Sequence, residues 1–317
     1  MSAARPVRRT ATEADLPEVL ALAQASDIAL IGETDWTEAD LREEWEDYDL
    51  ARDVFLLELD GRLAGYAAFE RKGGGRMLAD GYVHPELTGN GVGSELLRLT
   101  EERAREEVAA VPAGERAYLQ NAALRSDPAA PALYAAHGYR STRHFWRMVI
   151  DLEREPEPAL PALPDGIELR LLRDPEERRA LYGTLEEAFE DHWEHRPRSF
   201  EEWSRSVFDV EGYDPSLVWV ALEGEELVAG NVCYWKRHGE WGWVGTLGVR
   251  PGWRRRRIAE ALLETSFAEF FRRGERRVAL GVDAQSPTGA TRLYEKAGMR
   301  VFWEAVVYEK ELRPAVG

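Results

Sequence analysis

The sequence predicts an α/β protein whose sheet mixes parallel and antiparallel strands, and it predicts this fold twice. Strands and helices interleave along the chain, with a hairpin early and a strand–helix–strand unit late in each half. The halves repeat the same order of elements: Val83 matches Val249 and Tyr134 matches Tyr294, at spacings of about 160 to 166 residues. A tandem duplication explains this repeat. A doubly wound Rossmann sheet is rejected, because its glycine loop would follow the first strand, whereas this loop follows the fourth.

Each half opens with a short strand, VRR or IELRLL, and then a helix, EADLPEVLALAQ or DPEERRALYGTLEEAF. A hairpin follows at residues 53–70 and again at 217–235, with Asp60-Gly61 and Glu223-Gly224 where a tight turn needs positive φ. A fourth strand then leads through a proline-marked loop into an amphipathic helix. The stretches RSDPAAPALYAAHGYR and AQSPTGATRLYEKAGMR add a short helix. We expect a terminal strand to complete each half, FWRMVI in the first and FWEAVVYEKEL in the second.

The domain boundaries are predicted from composition. The segment 151–166, DLEREPEPALPALPDG, is rich in proline and acids and has neither helical nor strand period, so it is interpreted as a linker. The predicted domains are therefore residues 1–150 and 167–317, a division that suits a chain of 317 residues.

Composition narrows the function classes. A formal net charge of −17 repels phosphate backbones, which argues against nucleic acid and favours a small cationic partner such as an amine. No apolar run approaches the roughly 18 residues that a membrane span needs, and the N-terminus lacks an apolar signal core. A single cysteine, Cys233, excludes an internal disulfide framework and a zinc cluster of cysteines. We expect a cytoplasmic enzyme without a metal or membrane partner, as a monomer or homodimer.

A glycine turn precedes the amphipathic helix of the first half. Glycines at this spacing allow backbone N–H groups to approach a ligand, and the following helix N-terminus adds free donors, so the turn suits a pyrophosphate. The predicted cofactor-binding residues here are Thr88, Gly89, Asn90, Gly91, Val92, Gly93 and Ser94.

The matching turn of the second half is rich in arginine. Four guanidinium groups at a helix start can supply charge for phosphates, although a solvated basic face that balances local acids is an equal alternative. The residues are Arg254, Arg255, Arg256, Arg257, Ile258 and Ala259.

Each half resembles the GNAT acyltransferase superfamily, and the resemblance covers nearly the whole chain. It rests on VHPELTGNGVGSELL, SDPAAPALY and VDAQSPTGATRLYEKAGM, and the double arrangement is similar to that of mycothiol synthase-like actinobacterial acetyltransferases. The resemblance implies two tandem acyl-CoA N-acyltransferase folds that bind acetyl-CoA. It also implies that the preceding strand, at Val83, Leu247 and Val249, binds the pantetheine arm as an added strand would. Two positions depart from the superfamily pattern: Thr88 replaces arginine or glutamine, and Arg257 replaces a glycine, where positive φ would strain it.

The resemblance also suggests catalytic groups. Tyr134 and Tyr294 stand where the superfamily places a tyrosine near the CoA sulfur, where a phenol could protonate the departing thiolate; packing is the alternative role. Ser286 is a helix N-cap or a cofactor contact. Glu240 is the leading candidate for the general base, with His238 and Asp80 as others, and water could carry the proton instead.

Residues Asp191, His192 and Trp193 fall in the region that caps the acceptor pocket in this fold, and we expect them to bind substrate. An ordinary polar helix end is the main alternative, and a zinc site is disfavoured because the spacing matches no common ligand pattern. Asp27, Glu33 and Trp36 occupy the corresponding region of the first half.

The leading hypothesis is acetyl transfer from acetyl-CoA directly to a primary amine of a small molecule, with the second half catalytic and the first half a CoA-binding or active partner. The alternative is a degenerate acyl-CoA-binding sensor or scaffold without turnover. A nucleic-acid-binding arginine patch is a third hypothesis, which the net charge opposes.

Overall fold

The protein was analysed as a computed structural model that describes residues 5–34, 36–152, 162–193, 195–210, 212–236 and 241–316. The chain forms two compact units, one made of Met1–His144 with Trp303–Gly317 and the other of Phe145–Phe302. Residues 153–161 of the predicted linker lie outside the described residues. Within the described residues, no helix is long and apolar enough to cross a membrane.

The chain elements follow the predicted order. Those up to the linker are β1 (Val7–Thr10), α1 (Leu16–Ile31), α2 (Glu38–Glu46), α3 (Leu50–Asp53), β2 (Val54–Leu59), β3 (Arg62–Gly73), β4 (Arg76–Val83), α4 (Val92–Glu107), β5 (Ala117–Leu124), α5 (Ala130–Ala136) and β6 (Arg140–Asp151). Those after it are β7 (Ile167–Leu171), α6 (Arg178–Phe189), α7 (Phe200–Phe208), β8 (Tyr213–Glu223), β9 (Glu226–Tyr234), β10 (Gly242–Val249), α8 (Ile258–Arg272), β11 (Arg277–Asp283), α9 (Ala290–Lys296) and β12 (Arg300–Arg313).

The sheet of the first unit runs β1-β2-β3-β4-β5-β12 and then the start of β6. Its β4–β5 pair is parallel, whereas β1–β2, β2–β3, β3–β4 and β5–β12 are antiparallel. The mixed sheet predicted from the sequence is therefore confirmed. The β2–β3 turn has positive φ at Asp60 (51°) and Gly61 (76°), as the hairpin pattern predicts.

The second unit repeats this arrangement in the order β6-β11-β10-β9-β8-β7, with β6 entering at Phe145. Its β10–β11 pair is parallel, whereas β6–β11, β9–β10, β8–β9 and β7–β8 are antiparallel. Cys233 lies in β9 and is fully buried, in keeping with the structural role expected of a lone cysteine.

The terminal strands differ from the sequence expectation. The segment FWRMVI does not complete the first unit; it pairs with β11 of the second, from Phe145 opposite Asp283 to Asp151 opposite Arg277. The segment FWEAVVYEKEL likewise does not complete the second unit. It lies in β12, which pairs with β5 of the first unit. Both segments have the same strand pattern, so either could satisfy either sheet by hydrogen bonding, and side-chain packing decides between them.

Contacts within the first unit show what holds β12 in place. The ring of Tyr308 stacks on Tyr134 of α5, with centroids 4.3 Å apart. The ammonium of Lys310 lies 2.7 Å from the carboxylate of Glu101, a buried residue of α4. These contacts join a distant segment of the chain to both helices that cover this face of the sheet.

The two faces of the first unit's sheet carry different helices. One face packs against α4 and α5 through residues such as Phe69, Met77 and Leu97. The opposite face packs against α1 and α2 through Leu22, Leu41, Leu56, Tyr66 and others. Because successive strand residues point to opposite faces, alternate positions of β3 and β4 reach different helices.

Removing residues 303–317 is expected to destabilise the first unit while leaving the sequence of its other strands intact. Strand β5 would lose the partner that pairs with Ala117 to Leu124, and its amides should exchange with solvent much faster. Hydrogen exchange followed by mass spectrometry measures this. A chain ending at Arg313 serves as the matched control, and equal protection of β5 in both truncated chains would contradict the role assigned to β12.

Candidate active site

Strands β4 and β5 separate part-way along their length. They pair from Arg76 opposite Tyr118 to Ala79 opposite Asn121. Beyond this point they no longer pair with each other, although β4 continues to Val83 and β5 to Leu124. Further on, β4 stays paired with β3 and β5 stays paired with β12. The facing edges after Ala79 and Asn121 therefore form a fork, whose backbone groups can pair with an extended ligand.

Two predicted catalytic candidates lie at this fork. Asp80 is the first residue of β4 after the last pair, and the Tyr134 hydroxyl donates to the carbonyl of Ala122, the first residue of β5 after it, at 3.4 Å. Tyr134 belongs to the core on the α4 face, whereas Asp80 lines a pocket on the opposite face. Only where the strands separate can groups from opposite faces act on the same ligand.

Electrostatics couple these two groups. Burial raises the pKa of the Tyr134 phenol well above its usual range, and the charge of Asp80 raises it further. The phenol therefore keeps its proton at any physiological pH. For Asp80, burial among protein atoms raises the pKa to about 6, and the hydrogen bond from the Gly81 N–H opposes this. Asp80 is nevertheless an exposed residue, so its carboxyl is crowded by protein atoms without being sealed from water.

The pocket in front of Asp80 has a volume of about 160 Å³. Its walls combine aromatic rings with carboxylates, namely Trp36, Tyr48, Tyr66, Tyr82, Glu44, Glu70 and Asp80. The strand residues alternate on β3 and β4 and so share one face of the sheet. Of these residues, Trp36 and Asp80 were candidates from the sequence alone. Residues 66 and 70, and residues 80 and 82, are an even number of positions apart, so the sequence indicated that each pair shares one face of the sheet. It did not show which face would carry a pocket.

Hydrogen bonds fix the aromatic walls. The indole N–H of Trp36 donates to the Tyr82 hydroxyl at 3.0 Å, and the indole N–H of Trp45 donates to the Tyr66 hydroxyl at 3.1 Å. These bonds hold α2 and the segment before it against the sheet. The pocket is thus preformed by packing.

The glycine turn of the first unit has the geometry predicted for anion binding. Gly89 and Gly91 have φ of 79° and 81°, and a side chain at either would meet no atom within 4 Å, so both face open space. The Asn90 amide closes the turn by donating to the carbonyls of Leu87 and Thr88. Helix α4 starts at Val92 without a side-chain cap, so its first N–H groups point towards that space. Ser94, in its first turn, is exposed.

The second unit repeats this backbone with different residues. Thr88 and Arg254 have nearly the same conformation, φ −62° with ψ 156° and 157°. Arg255 and Arg257 then take the left-handed φ values of 65° and 64° that glycines take in the first unit. The strain anticipated for Arg257 is present, because a residue with a Cβ pays about 1–2 kcal/mol in this region.

Three of the four arginines in the second turn are engaged by acids. Arg254 bonds the Asp191 carboxylate at 2.8 Å, Arg256 bonds Glu223 at 2.6 Å and Arg257 bonds Glu260 at 3.0 Å. The hydrogen bond from Arg254 keeps the pKa of Asp191 below its usual range. Asp191, predicted to bind substrate, thus lies against the turn that was predicted to bind the cofactor, and much of the turn's positive charge is balanced inside the protein.

The fork of the second unit has a different lining. Strands β10 and β11 pair from Gly242 to Val244 and then separate, so the opening itself recurs. At the position that matches Asp80 stands Thr246, and Gly248 matches Tyr82. A side chain at Gly248 would come within 2.8 Å of Leu185, so α6 lies directly on the sheet where the first unit has its pocket.

The other predicted residues of the second unit are placed as follows. Tyr294 is buried, and this burial raises its pKa to about 12. The ring of His192 lies 4.9 Å from that of Phe189, and the ring of Trp193 lies 6.0 Å from that of Phe145. Ser286 does not cap α9, whose N-cap is Gly289; its hydroxyl bonds that of Thr288. Glu240 and His238 lie outside the described residues.

The strand residues predicted to hold the pantetheine arm lie on the arms of the two forks. Val83 pairs with Gly65 on β3, and Leu247 and Val249 pair with Asn231 and Ala229 on β9. Their other edges face the openings. Ile258 is buried at the start of α8, and Ala259 follows it in the first turn.

Comparison with known proteins identifies similar chains for both units. Residues 178–299 match the family described as "Acetyltransferase (GNAT) family", and residues 51–141 match "Acetyltransferase (GNAT) domain". A mycothiol acetyltransferase of Geodermatophilus obscurus is 31% identical over 262 residues, with 78% of each chain covered. The mycothiol acetyltransferase of Salinispora arenicola is 30% identical over 318 residues, with 93% of each chain covered.

Solved structures agree. A GCN5-related N-acetyltransferase from Sphaerobacter thermophilus superposes with a TM-score of 0.87 at 35% identity, covering 98% of this chain and 97% of its own. A tandem GNAT protein from the clavulanic acid biosynthesis pathway has a TM-score of 0.73 at 17% identity, covering 98% and 99%, which shows the shared fold.

The raised pKa of Asp80 predicts a pH-dependent stability. Since its pKa rises from the ordinary 3.8 to about 6 on folding, the folded state holds this proton more tightly. The resulting stability is complete below the unfolded pKa and is lost as pH rises through about 6. Because the Asp80→Asn variant has no proton to lose at this position, its melting temperature should rise relative to that of wild type as the pH increases from about 4 to about 8.

Thermal unfolding across this pH range tests the assignment. Glu46→Gln, an exposed change on α2, is the control and should shift the melting temperature by a constant amount. A constant difference for Asp80→Asn as well would mean that Asp80 titrates normally.

Proposed function

Since the chain belongs to the GNAT family of acetyltransferases and carries two such domains in tandem, we propose that it transfers an acetyl group from acetyl-CoA to a primary amine of a small molecule. Family membership confirms the resemblance seen in the sequence, and it makes the protein an acetyltransferase. The fork of the first unit supports the finer parts of the proposal, namely the acetyl-CoA donor and the amine acceptor. It brings Asp80 from one face of the sheet and Tyr134 from the other to a single opening.

The residues of the first unit fit acetyl-CoA. Side chains are missing at Gly89 and Gly91, where a pyrophosphate must approach the backbone, and the uncapped start of α4 offers N–H groups to it. The free edges of β4 and β5 offer donors and acceptors to an amide-containing arm. Bound acetyl-CoA would supply the acetyl group as a reactive thioester.

The side chains at the fork can then move the two protons that the reaction requires. Most amines enter as ammonium ions, which lose two protons on becoming amides. Asp80, ionised above about pH 6, accepts the first and frees the nitrogen to attack the thioester carbon. Tyr134 donates its proton to the sulfur as the carbon–sulfur bond breaks, and the second nitrogen proton restores the phenol. The tyrosine ring is fixed by its stack on Tyr308, so its hydroxyl needs no reorganisation.

We assign turnover to the first unit, although the sequence alone favoured the second. Thr246 has no carboxylate to act as base where the first unit has Asp80. In the second turn, two arginines take strained left-handed conformations. Three of the four are bonded to carboxylates, namely Arg254, Arg256 and Arg257. These features favour the alternative hypothesis, a degenerate acyl-CoA-binding module, for the second unit alone.

The acceptor is proposed to be a small amine in the cytoplasm. The relatives named above are mycothiol acetyltransferases, but the first unit's pocket of about 160 Å³ is small even for a drug-sized ligand. Pocket size and lining therefore guide the choice of acceptor better than the names of relatives do.

Calorimetry should find one acetyl-CoA bound per chain, in the first unit. Gly91→Trp places an indole where the turn now faces open space and should abolish this binding. Arg257→Trp makes the same change at the matching left-handed position and should leave it intact. Loss of binding only in Arg257→Trp would place the cofactor in the second unit.

Asp80→Asn and Tyr134→Phe should each lower kcat about 100-fold, the usual scale for a positioned base or acid, with little change in acetyl-CoA affinity. In wild type, kcat/KM should rise with pH through about 6 as Asp80 ionises, and Asp80→Asn should remove this rise. Tyr294→Phe deletes the same hydroxyl from the second unit and is the control. A crippled Tyr294→Phe beside an active Tyr134→Phe would return catalysis to the second unit.

A further inference from the structure

The pocket of the first unit contains more carboxyl groups than acetyl transfer needs. One carboxylate, Asp80, suffices as base, yet Glu44 and Glu70 also line the cavity. We propose that this pocket selects an amine with a second cationic group, of which a short aliphatic diamine is the simplest form. The inference rests on the proposed function, since it takes the first unit's pocket as the acceptor site.

Glu44 is the best placed of these carboxylates to bind the second cation. Its neighbours Leu41 and Trp45 are buried, and this packing fixes α2 on the sheet and turns Glu44 towards the pocket. Glu70 forms an ion pair with Lys72, and this pair balances part of the negative charge of the Glu70 carboxylate. Glu44 instead has like charges around it, from Asp80, Asp40 and Glu70.

These like charges carry a cost that a cation would relieve. Glu44 is an exposed residue, but the protein atoms crowded around its carboxyl, followed by the charges of Asp80, Asp40 and Glu70, raise its pKa to about 8, and Lys72 opposes this. An ammonium group beside Glu44 would favour the ionised carboxylate and form a charge-assisted hydrogen bond with it. A monoamine held at Asp80 leaves Glu44 without this partner.

The aromatic walls and the volume agree with a short cationic chain. Trp36 and Tyr82 pack edge to face with centroids 6.0 Å apart, and their rings with those of Tyr48 and Tyr66 offer π faces to ammonium groups and apolar surface to methylenes. The cavity of about 160 Å³ is small beside the pockets of about 300–1,000 Å³ that hold drug-sized ligands, which suits a short aliphatic chain.

The experiment compares butane-1,4-diamine with butylamine, which differ in one ammonium group. The full-length protein should show a kcat/KM at least about tenfold higher for the diamine, and calorimetry should give a correspondingly lower Kd. Glu44→Gln should lower kcat/KM about tenfold more for the diamine than for butylamine. Glu46→Gln removes a charge from the same helix outside the pocket and should behave as wild type for both amines.

Two results would overturn the inference: equal use of both amines by wild type, or an equal loss for both in Glu44→Gln. A melting temperature of Glu44→Gln close to that of wild type shows that the variant is folded. If neither amine is acetylated, the proposed function fails, and the Kd values alone decide the inference. Preferential binding of the diamine that depends on Glu44 would then still support the site.

Discussion

The candidate active site depends on one constraint, the divergence of β5 from β4 while β5 stays paired with β12. Up to Asn121, one edge of β5 pairs with β4, while the other edge pairs with β12 along the whole strand. The last residues of β5 therefore stay paired with β12 and diverge from β4. The separation leaves hydrogen-bonding groups on two strands facing an opening, which in a closed sheet would be costly. An extended ligand can satisfy them. The fork, the reach of Tyr134 and the access to Asp80 all follow from this divergence.

The strand that supports the fork comes from the far end of the chain. Tyr308 of β12 stacks on Tyr134, and Lys310 pairs with the buried Glu101 of α4. The first unit is therefore incomplete until the last segment of the sequence is present. The duplicated halves cannot be treated as independent domains cut at the linker, although their sequences align from end to end.

Duplication preserved the backbone of the cofactor turn while its side chains diverged. Gly89 and Gly91 in the first unit and Arg255 and Arg257 in the second adopt left-handed conformations, and the carboxylate of Glu260 holds Arg257 in its strained one. A turn stabilised by internal ion pairs no longer depends on a phosphate for its counter-charge. The first unit, by contrast, keeps an open turn and has several acids in the pocket proposed for the acceptor, where they suit a cationic ligand.

The sequence by itself determined the class of fold, the order of elements, the glycine turn and the candidate tyrosines, because these depend on local periodicity and on turn chemistry. It also brought Asp80 forward as a possible base. Tertiary structure decided the partners of the terminal strands, since two segments with the same alternation can complete either sheet. It likewise decided which residues form the pocket: Glu44 on α2 meets Asp80 on β4 only after the helix packs on the sheet. Local patterns carry no information about such encounters between distant residues, so the preferred catalytic half emerged from packing and charge.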